Sequence, residues 1–173
     1  MAEQVRVHMS AAEFFQLPES NTPAELLDGV LMMSPAPIPQ HQRASNRVER
    51  LVESLMPDGE MFHAPIDLYF DDHNVVQPDV VWVAANSRCQ VTAQRLEGQP
   101  ELIVEIFSPG TERQDRKKKF ELYERFGVAG YWMLDPLETY IEVHALEAGR
   151  YQRVGVFEPG DEFVSRILGG QVV

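Results

Sequence analysis

Two segments of this 173-residue chain are almost continuously apolar, and each is broken by one carboxylate: Asp79 in VVQPDVVWVA and Glu105 in ELIVEIFSPG. Runs this dense in Val, Ile and Leu read as strands of a sheet covered on both faces, which calls for a mixed α/β layer arrangement. An ionised group inside such a strand is costly unless a partner or a metal compensates it. The same two residues therefore constrain the fold and the chemistry together.

Turn and cap signals organise the rest. Ser10 and Glu13 form a capping box, with Met9 and Phe14 placed as a hydrophobic staple, so a short helix starts at Ser10 and Pro18 ends it. Asp28-Gly29 between apolar flanks predicts a hairpin in AELLDGVLMMS. PAPIP leads into a helix over 40–56, where Ala44, Val48, Leu51, Val52 and Leu55 keep helical spacing until Pro57. Strands are predicted over 60–63, 65–70 and 75–84, the last two joined by the turn Asp71-Asp72-His73-Asn74. Residues 86–99 read as loop with at most a turn of helix, and 101–107 as a strand. Ser108-Pro109-Gly110-Thr111 turns the chain into a helix capped by Ser108 or Thr111, which runs to Phe126 and stops at Gly127. YWMLDP, TYIEVHAL, YQRVGVF and EFVSRIL predict four more strands, with turns at Asp135-Pro136 and Ala148-Gly149. No repeat or long linker divides the chain, so residues 1–173 read as one domain.

Composition excludes several classes. No stretch approaches the roughly 20 apolar residues of a membrane helix, and the N-terminus lacks the build of a secretory signal. The single Cys89 rules out an intramolecular disulfide and fits a cytoplasmic protein, and with five scattered histidines it argues against a structural zinc site. A net charge of −12 argues against a general nucleic-acid coating protein. The basic residues are nevertheless concentrated in Arg43, Arg47 and Arg50 and in Arg113 with Arg116 to Lys119. These runs are either local phosphate-holding faces on an acidic body or solvated helix faces.

Strand alternation places Gln77, Asp79 and Val81 on one face, and Ile103, Glu105 and Phe107 on one face of the other strand. If the strands are neighbours, Asp79 and Glu105 converge on one cation. Oxygen-only ligation suits Mg²⁺ or Mn²⁺, with the backbone carbonyl of Ile106 as a further ligand. Lys119 or a neighbour in its run would orient the attacking water and stabilise a phosphate. The rival reading is a strand-end aspartate and a glutamate paired with lysine for structural reasons.

The segments QPDVV, LIVEIFSP and the lysine-bearing helix resemble the PD-(D/E)XK nuclease superfamily. More closely, the chain resembles a widespread bacterial family of uncharacterised restriction-endonuclease-like proteins. It does so through ELLDGVLMMSPAP, His41-Gln42, QPDVVWVA, LIVEIFSPGTERQDRKKKFELYERFGV and YWMLDP, which cover most of residues 25–136. The resemblance implies a restriction-endonuclease-like core, a central mixed sheet flanked by helices. It also implies a divalent-metal-dependent DNA endonuclease, often a homodimer, with Asp79 and Glu105 as acidic residues. Phe107 stands where the simple motif has lysine, and Lys119 matches the displaced lysine of the family. Glu25 matches the glutamate of the family's hairpin and is either a metal ligand or an exposed hairpin charge. Family members commonly read GV-x-EYW, whereas this chain has Gly130 in place of that glutamate.

Other residues carry two readings. Asp115 and Lys119 stand at i,i+4, so they form either a surface ion pair or an arrangement in which Asp115 orients the lysine. His41 is either a structural helix-start residue or a phosphate contact and proton relay. Gln77 is placed to bond water or substrate near the metal. Asp67 either approaches the metal or, as alternation alone supports, is an ordinary exposed strand position; Ser108 is a turn or cap residue, and Trp82, Trp132 and Tyr131 are core. The alternative to an enzyme is a catalytically inactive nucleic-acid-binding or regulatory module that keeps the nuclease fold.

Overall fold

The structure, a computed structural model, describes residues 7–18, 22–33, 36–56, 58–107 and 112–173, the side chains of 112–116 excepted. The expected Ser108–Thr111 turn, the Pro57 stop and the Asp115 side chain lie outside the described residues.

In chain order the elements are α1 (Ala11–Phe14), β1 (Ala24–Leu27), β2 (Val30–Met33), α2 (Pro39–Leu55), β3 (Glu60–His63), β4 (Leu68–Asp71) and β5 (Asn74–Val76). They continue with β6 (Val80–Val83), β7 (Gln90–Val91), β8 (Leu96–Glu97), β9 (Leu102–Ile106), α3 (Glu112–Phe126) and β10 (Gly130–Asp135). β11 (Tyr140–Glu147), β12 (Arg150–Phe157), β13 (Val164–Ser165) and β14 (Gln171–Val172) follow.

Local chemistry accounts for the boundaries. Ser10 caps α1 with the reciprocal Glu13 bonds of a capping box, though the helix ends at Phe14, ahead of Pro18. Asp28 (φ 50°) and Gly29 (φ 76°) both take the left-handed conformation that a tight hairpin needs between β1 and β2. Gly127 (φ 76°) closes α3.

The strands form two sheets and a short ribbon. The larger core sheet runs β12-β11-β10-β9-β6-β3, with β9 and β10 parallel and its other neighbours antiparallel. A second sheet runs β2-β1-β5-β4-β8-β7, and β13 pairs only with β14. On one face of the core sheet, Val48 and Val52 of α2 and Phe163 and Leu168 of the C-terminal segment pack on Trp82, Val104 and Trp132. On the other face, Leu122 and Tyr123 of α3 and Leu27, Leu68 and Val76 of the second sheet pack on Val81, Ile103, Tyr131 and Met133. Trp82, Trp132 and Tyr131 are core residues, as expected.

Three expectations need correction. The predicted strand 75–84 is two strands in different sheets, because the chain leaves the second sheet after Val76 and enters the core sheet at Val80. Pro78, which has no N–H to give a ladder, falls in the break. Residues 86–99, read as loop, contain β7 and β8, the latter parallel to β4. EFVSRIL, read as one strand, supplies only β13; residues 166–170 then turn back to β14.

Candidate active site

The break at Gln77-Pro78-Asp79 lies where the two sheets diverge, and the site is built around it. Val80 pairs with Val104 and Val81 with Ile103, so the antiparallel register carried one step further sets Asp79 opposite Glu105. Asp79 is thus not inside a strand, as alternation suggested, but immediately ahead of one. Its carboxylate continues the ladder that Pro78 interrupts, with the Ile106 N–H donating to Asp79 Oδ2 at 2.7 Å. Its other oxygen faces His41 in the first turn of α2, with Nε2 3.1 Å from Oδ1. Gln40 anchors that turn by donating from Nε2 to the carbonyl of Pro136, just past β10 (2.7 Å).

Glu105 points from β9 toward α3. Lys119 Nζ donates to its Oε1 at 3.0 Å, and the Tyr123 hydroxyl donates to the same oxygen at 2.6 Å. Lys119 and Tyr123 are one helical turn apart, which stacks them on one face. Lys119 also lies 2.9 Å from Oε1 of Glu25, and that oxygen accepts from the backbone N–H of Gln77 at 2.7 Å. Glu25 comes from β1 of the second sheet, so one ammonium ties a helix to both sheets.

Burial decides between the readings left open. Lys119 is 7% exposed and Glu25 6%, while Lys117 and Lys118 are exposed. Among the described side chains of the run, Lys119 is therefore the basic residue that enters the site, and Glu25 is a buried site residue instead of an exposed hairpin charge. His41 joins the site through Asp79. Gln77 contributes differently from expectation: its N–H holds Glu25, and its side chain donates to Asp67 Oδ1 at 2.9 Å. Asp67 accordingly is half-buried and sits just ahead of β4, not exposed within it. Phe107 packs against the core cluster that holds Leu122 and Tyr123, and it is Lys119 of α3 that brings an ammonium to Glu105.

The electrostatics follow from this crowding. Burial pushes the Glu105 carboxyl up, Lys119 pulls it down, and the charges of Asp79 and Glu25 raise it again, to about 8. Burial also works against the Lys119 charge, but Glu105, Glu25 and Asp79 outweigh it and hold the ammonium protonated well above its ordinary range. Burial and the charges of Glu105 and Glu25 raise Tyr123. For His41 burial acts downward, and its hydrogen bond and charge contact with Asp79 overcome it, so its proton is held more tightly than usual.

Three carboxylates face one ammonium here, an excess of negative charge when all are ionised. That excess and the all-oxygen donor set fit a hard divalent cation. Among the described residues no three His, Cys, Asp or Glu side chains already form a cage for an ion. A cation at Asp79 and Glu105 would instead share carboxylates that protein donors now hold. The Ile106 backbone, expected to offer its carbonyl to an ion, lies beside both His41 and Asp79 and bonds Asp79 through its N–H.

Tyr123 is the site residue that sequence reasoning missed. Its signal was its position four residues after Lys119, on the buried face of α3. Gly130, the departure from the family pattern, is remote from the carboxylates. It shares a strand face with Trp132, opposite Tyr131 and Met133, and a Cβ there would meet Ile167 Cγ1 at 2.9 Å and Leu102 Cδ1 at 3.1 Å.

Fold and cluster together define a restriction-endonuclease-like protein. Within that class the chain belongs to the Uma2 family, described as "Putative restriction endonuclease", whose model matches residues 11–172. Among solved structures, a "putative nuclease belonging to DUF820" from Anabaena variabilis is similar to this chain, with a TM-score of 0.78 at 20% identity. The match covers 95% of this chain and 94% of that one, and at this identity it is a likeness of fold. No curated protein matches the chain. Family membership supports a nuclease function in general terms. No described helix is long and apolar enough to cross a membrane.

Proposed function

We propose that the protein is a divalent-metal-dependent DNA endonuclease that hydrolyses phosphodiester bonds at the cluster of Asp79, Glu105 and Lys119. The observation that supports this reading is a buried lysine 3.0 Å from Glu105, with Asp79 in register on the neighbouring strand position. Asp79 and Glu105, with Glu25 and the Ile106 carbonyl in support, would hold Mg²⁺ or Mn²⁺. Such an ion, when bound, lowers the pKa of water and offsets charge on the phosphate.

The chain's own groups have distinct tasks in this reading. Lys119 donates from Nζ to the attacking water and to the scissile phosphate, and its carboxylate neighbours keep it charged for that purpose. Tyr123 fixes the orientation of Glu105, and Gln77 fixes Glu25 through its backbone. His41 orients Asp79 and holds a proton at Nε2 beside it. A homodimer acting in the cytoplasm belongs to the same reading, and light scattering on the purified protein reads the assembly.

One observation favours a second reading, an inactive nucleic-acid-binding module. Asp79 and Glu105 already bond to His41, Ile106, Lys119 and Tyr123, so the network is satisfied by protein groups. Melting temperature with and without Mg²⁺ or Mn²⁺ separates the two. The enzyme reading expects a metal-dependent rise in wild type that is lost in Asp79→Ala with Glu105→Ala. An equal shift in both proteins rules out the proposed metal site.

A further inference from the structure

The outer face of α2 carries three exposed arginines with no carboxylate partner among the described residues. Arg43, Arg47 and Arg50 fall at i, i+4 and i+7, on the side opposite His41, Val48 and Val52, which face the protein. Elsewhere Arg95, Arg125, Arg150, Arg153 and Arg166 each pair with a carboxylate, while Arg88 stands exposed without an ion pair among the described residues. With 27 acidic residues against 15 basic ones, pairing is the expected fate of a surface arginine. Yet among the described residues no carboxylate lies within ion-pair distance of these three, although Glu49 and Glu53 flank them on the same helix. Nor does α2 carry an acidic residue in its first turn.

We infer that this face is the docking surface for the phosphodiester backbone of a nucleic-acid strand that reaches the site. The inference rests on the nuclease reading for the identity of the ligand and on the arginines for its place. Charge complementarity selects a polyanion, because an unpaired cationic stripe on a body of net charge −12 attracts repeated anions more strongly than an acidic protein surface would. From Arg43 to Arg50 the helix advances about 10 Å, close to the axial length of three nucleotides of one duplex strand. The stripe lies across the width of α2 from His41, whose ring contacts Asp79. Guanidinium groups suit phosphate by their paired donors.

The test replaces Arg43, Arg47 and Arg50 together by alanine and measures binding of a short fluorescent DNA duplex in EDTA, from about 50 to 200 mM salt. Exposed arginines without partners can be replaced without unfolding the chain, and a matched melting temperature checks this. The triple variant is expected to bind at least tenfold more weakly, and its log–log salt slope should be shallower by about 2.7, from roughly 0.9 per lost phosphate contact. Affinity and slope equal to wild type overturn the inference. So does wild-type binding to phosphatidylglycerol vesicles but not to DNA. Weakened binding by the triple variant, with no metal-dependent cleavage by wild type, upholds the surface and sinks the nuclease reading. Cleavage by wild type with unaltered binding by the triple variant does the reverse.

Discussion

The Nζ of Lys119 lies 3.0 Å from Oε1 of Glu105, a pair in which each side chain is about nine-tenths buried. Glu25 adds a second contact to the same ammonium at 2.9 Å. Removing one partner of a buried ion pair leaves the other charge uncompensated, at a cost of about 3–5 kcal/mol. Lys119→Met is therefore expected to lower the urea unfolding free energy by about 3 kcal/mol or more. A change below about 1 kcal/mol would mean that the pair is solvated and that the burial described here is wrong.

Tyr123→Phe removes one donor from Glu105 and leaves the ring packing. Hydrogen bonds to charged groups contribute about 1.5–3 kcal/mol, so a loss in that range is expected. Because Tyr123 acts to lower the Glu105 pKa, the variant should also titrate Glu105 at higher pH. Carboxyl ¹³C NMR measures this, and an unmoved titration would show that the hydroxyl does not bond to the carboxylate.

The pH dependence of stability follows from two raised groups. Glu105, raised from 4.5 to about 8, contributes stability that is fully present below the unfolded value and is lost as pH rises through the folded one. His41, also raised, has the same sign from 6.5 upward. Without divalent metal, this cluster should therefore lose stability between about pH 4.5 and 8. Glu105→Gln should flatten that part of a melting-temperature profile. A profile with the wild-type slope in the variant would place the titrating groups elsewhere.

Gly130 offers a contrast between sequence pattern and packing. Restoring the family glutamate with Gly130→Glu places a charged chain against Ile167 and Leu102 on the apolar α2 side of the sheet. Overpacking alone costs about 1–3 kcal/mol, and burying an unpaired charge adds to it. The variant should be destabilised by urea unfolding, with Ile167→Ala recovering part of the loss. A stable variant with enhanced nuclease activity would contradict this placement.

Much of the molecule was legible in the residues because local signals and global fold agree. The Ser10–Glu13 box, the Asp28-Gly29 hairpin, α2 and α3 lie close to where caps, turns and periodicity put them. Asp79 and Glu105 were legible because charged residues in apolar runs are conspicuous, whereas Lys119 was singled out within its basic run by the resemblance to the family. Three things were not legible. The residues around Pro78 read as one strand, and that its two halves join different sheets is a long-range property of β1 and β9. The burial of Glu25 depends on Lys119, nearly a hundred residues away. Strands as short as β7, β8 and β13 carry too few residues for a periodicity to show.

The most direct test of the account is cleavage of supercoiled plasmid by wild type, Asp79→Asn and Lys119→Met in Mg²⁺, Mn²⁺ or EDTA. Wild type should nick in a metal-dependent way, with nicking abolished by EDTA and by Asp79→Asn, and reduced by roughly 100-fold or more in Lys119→Met, the scale of losing one transition-state donor. Nicking that is equally strong in Asp79→Asn, or no nicking by wild type in either metal, would contradict the account.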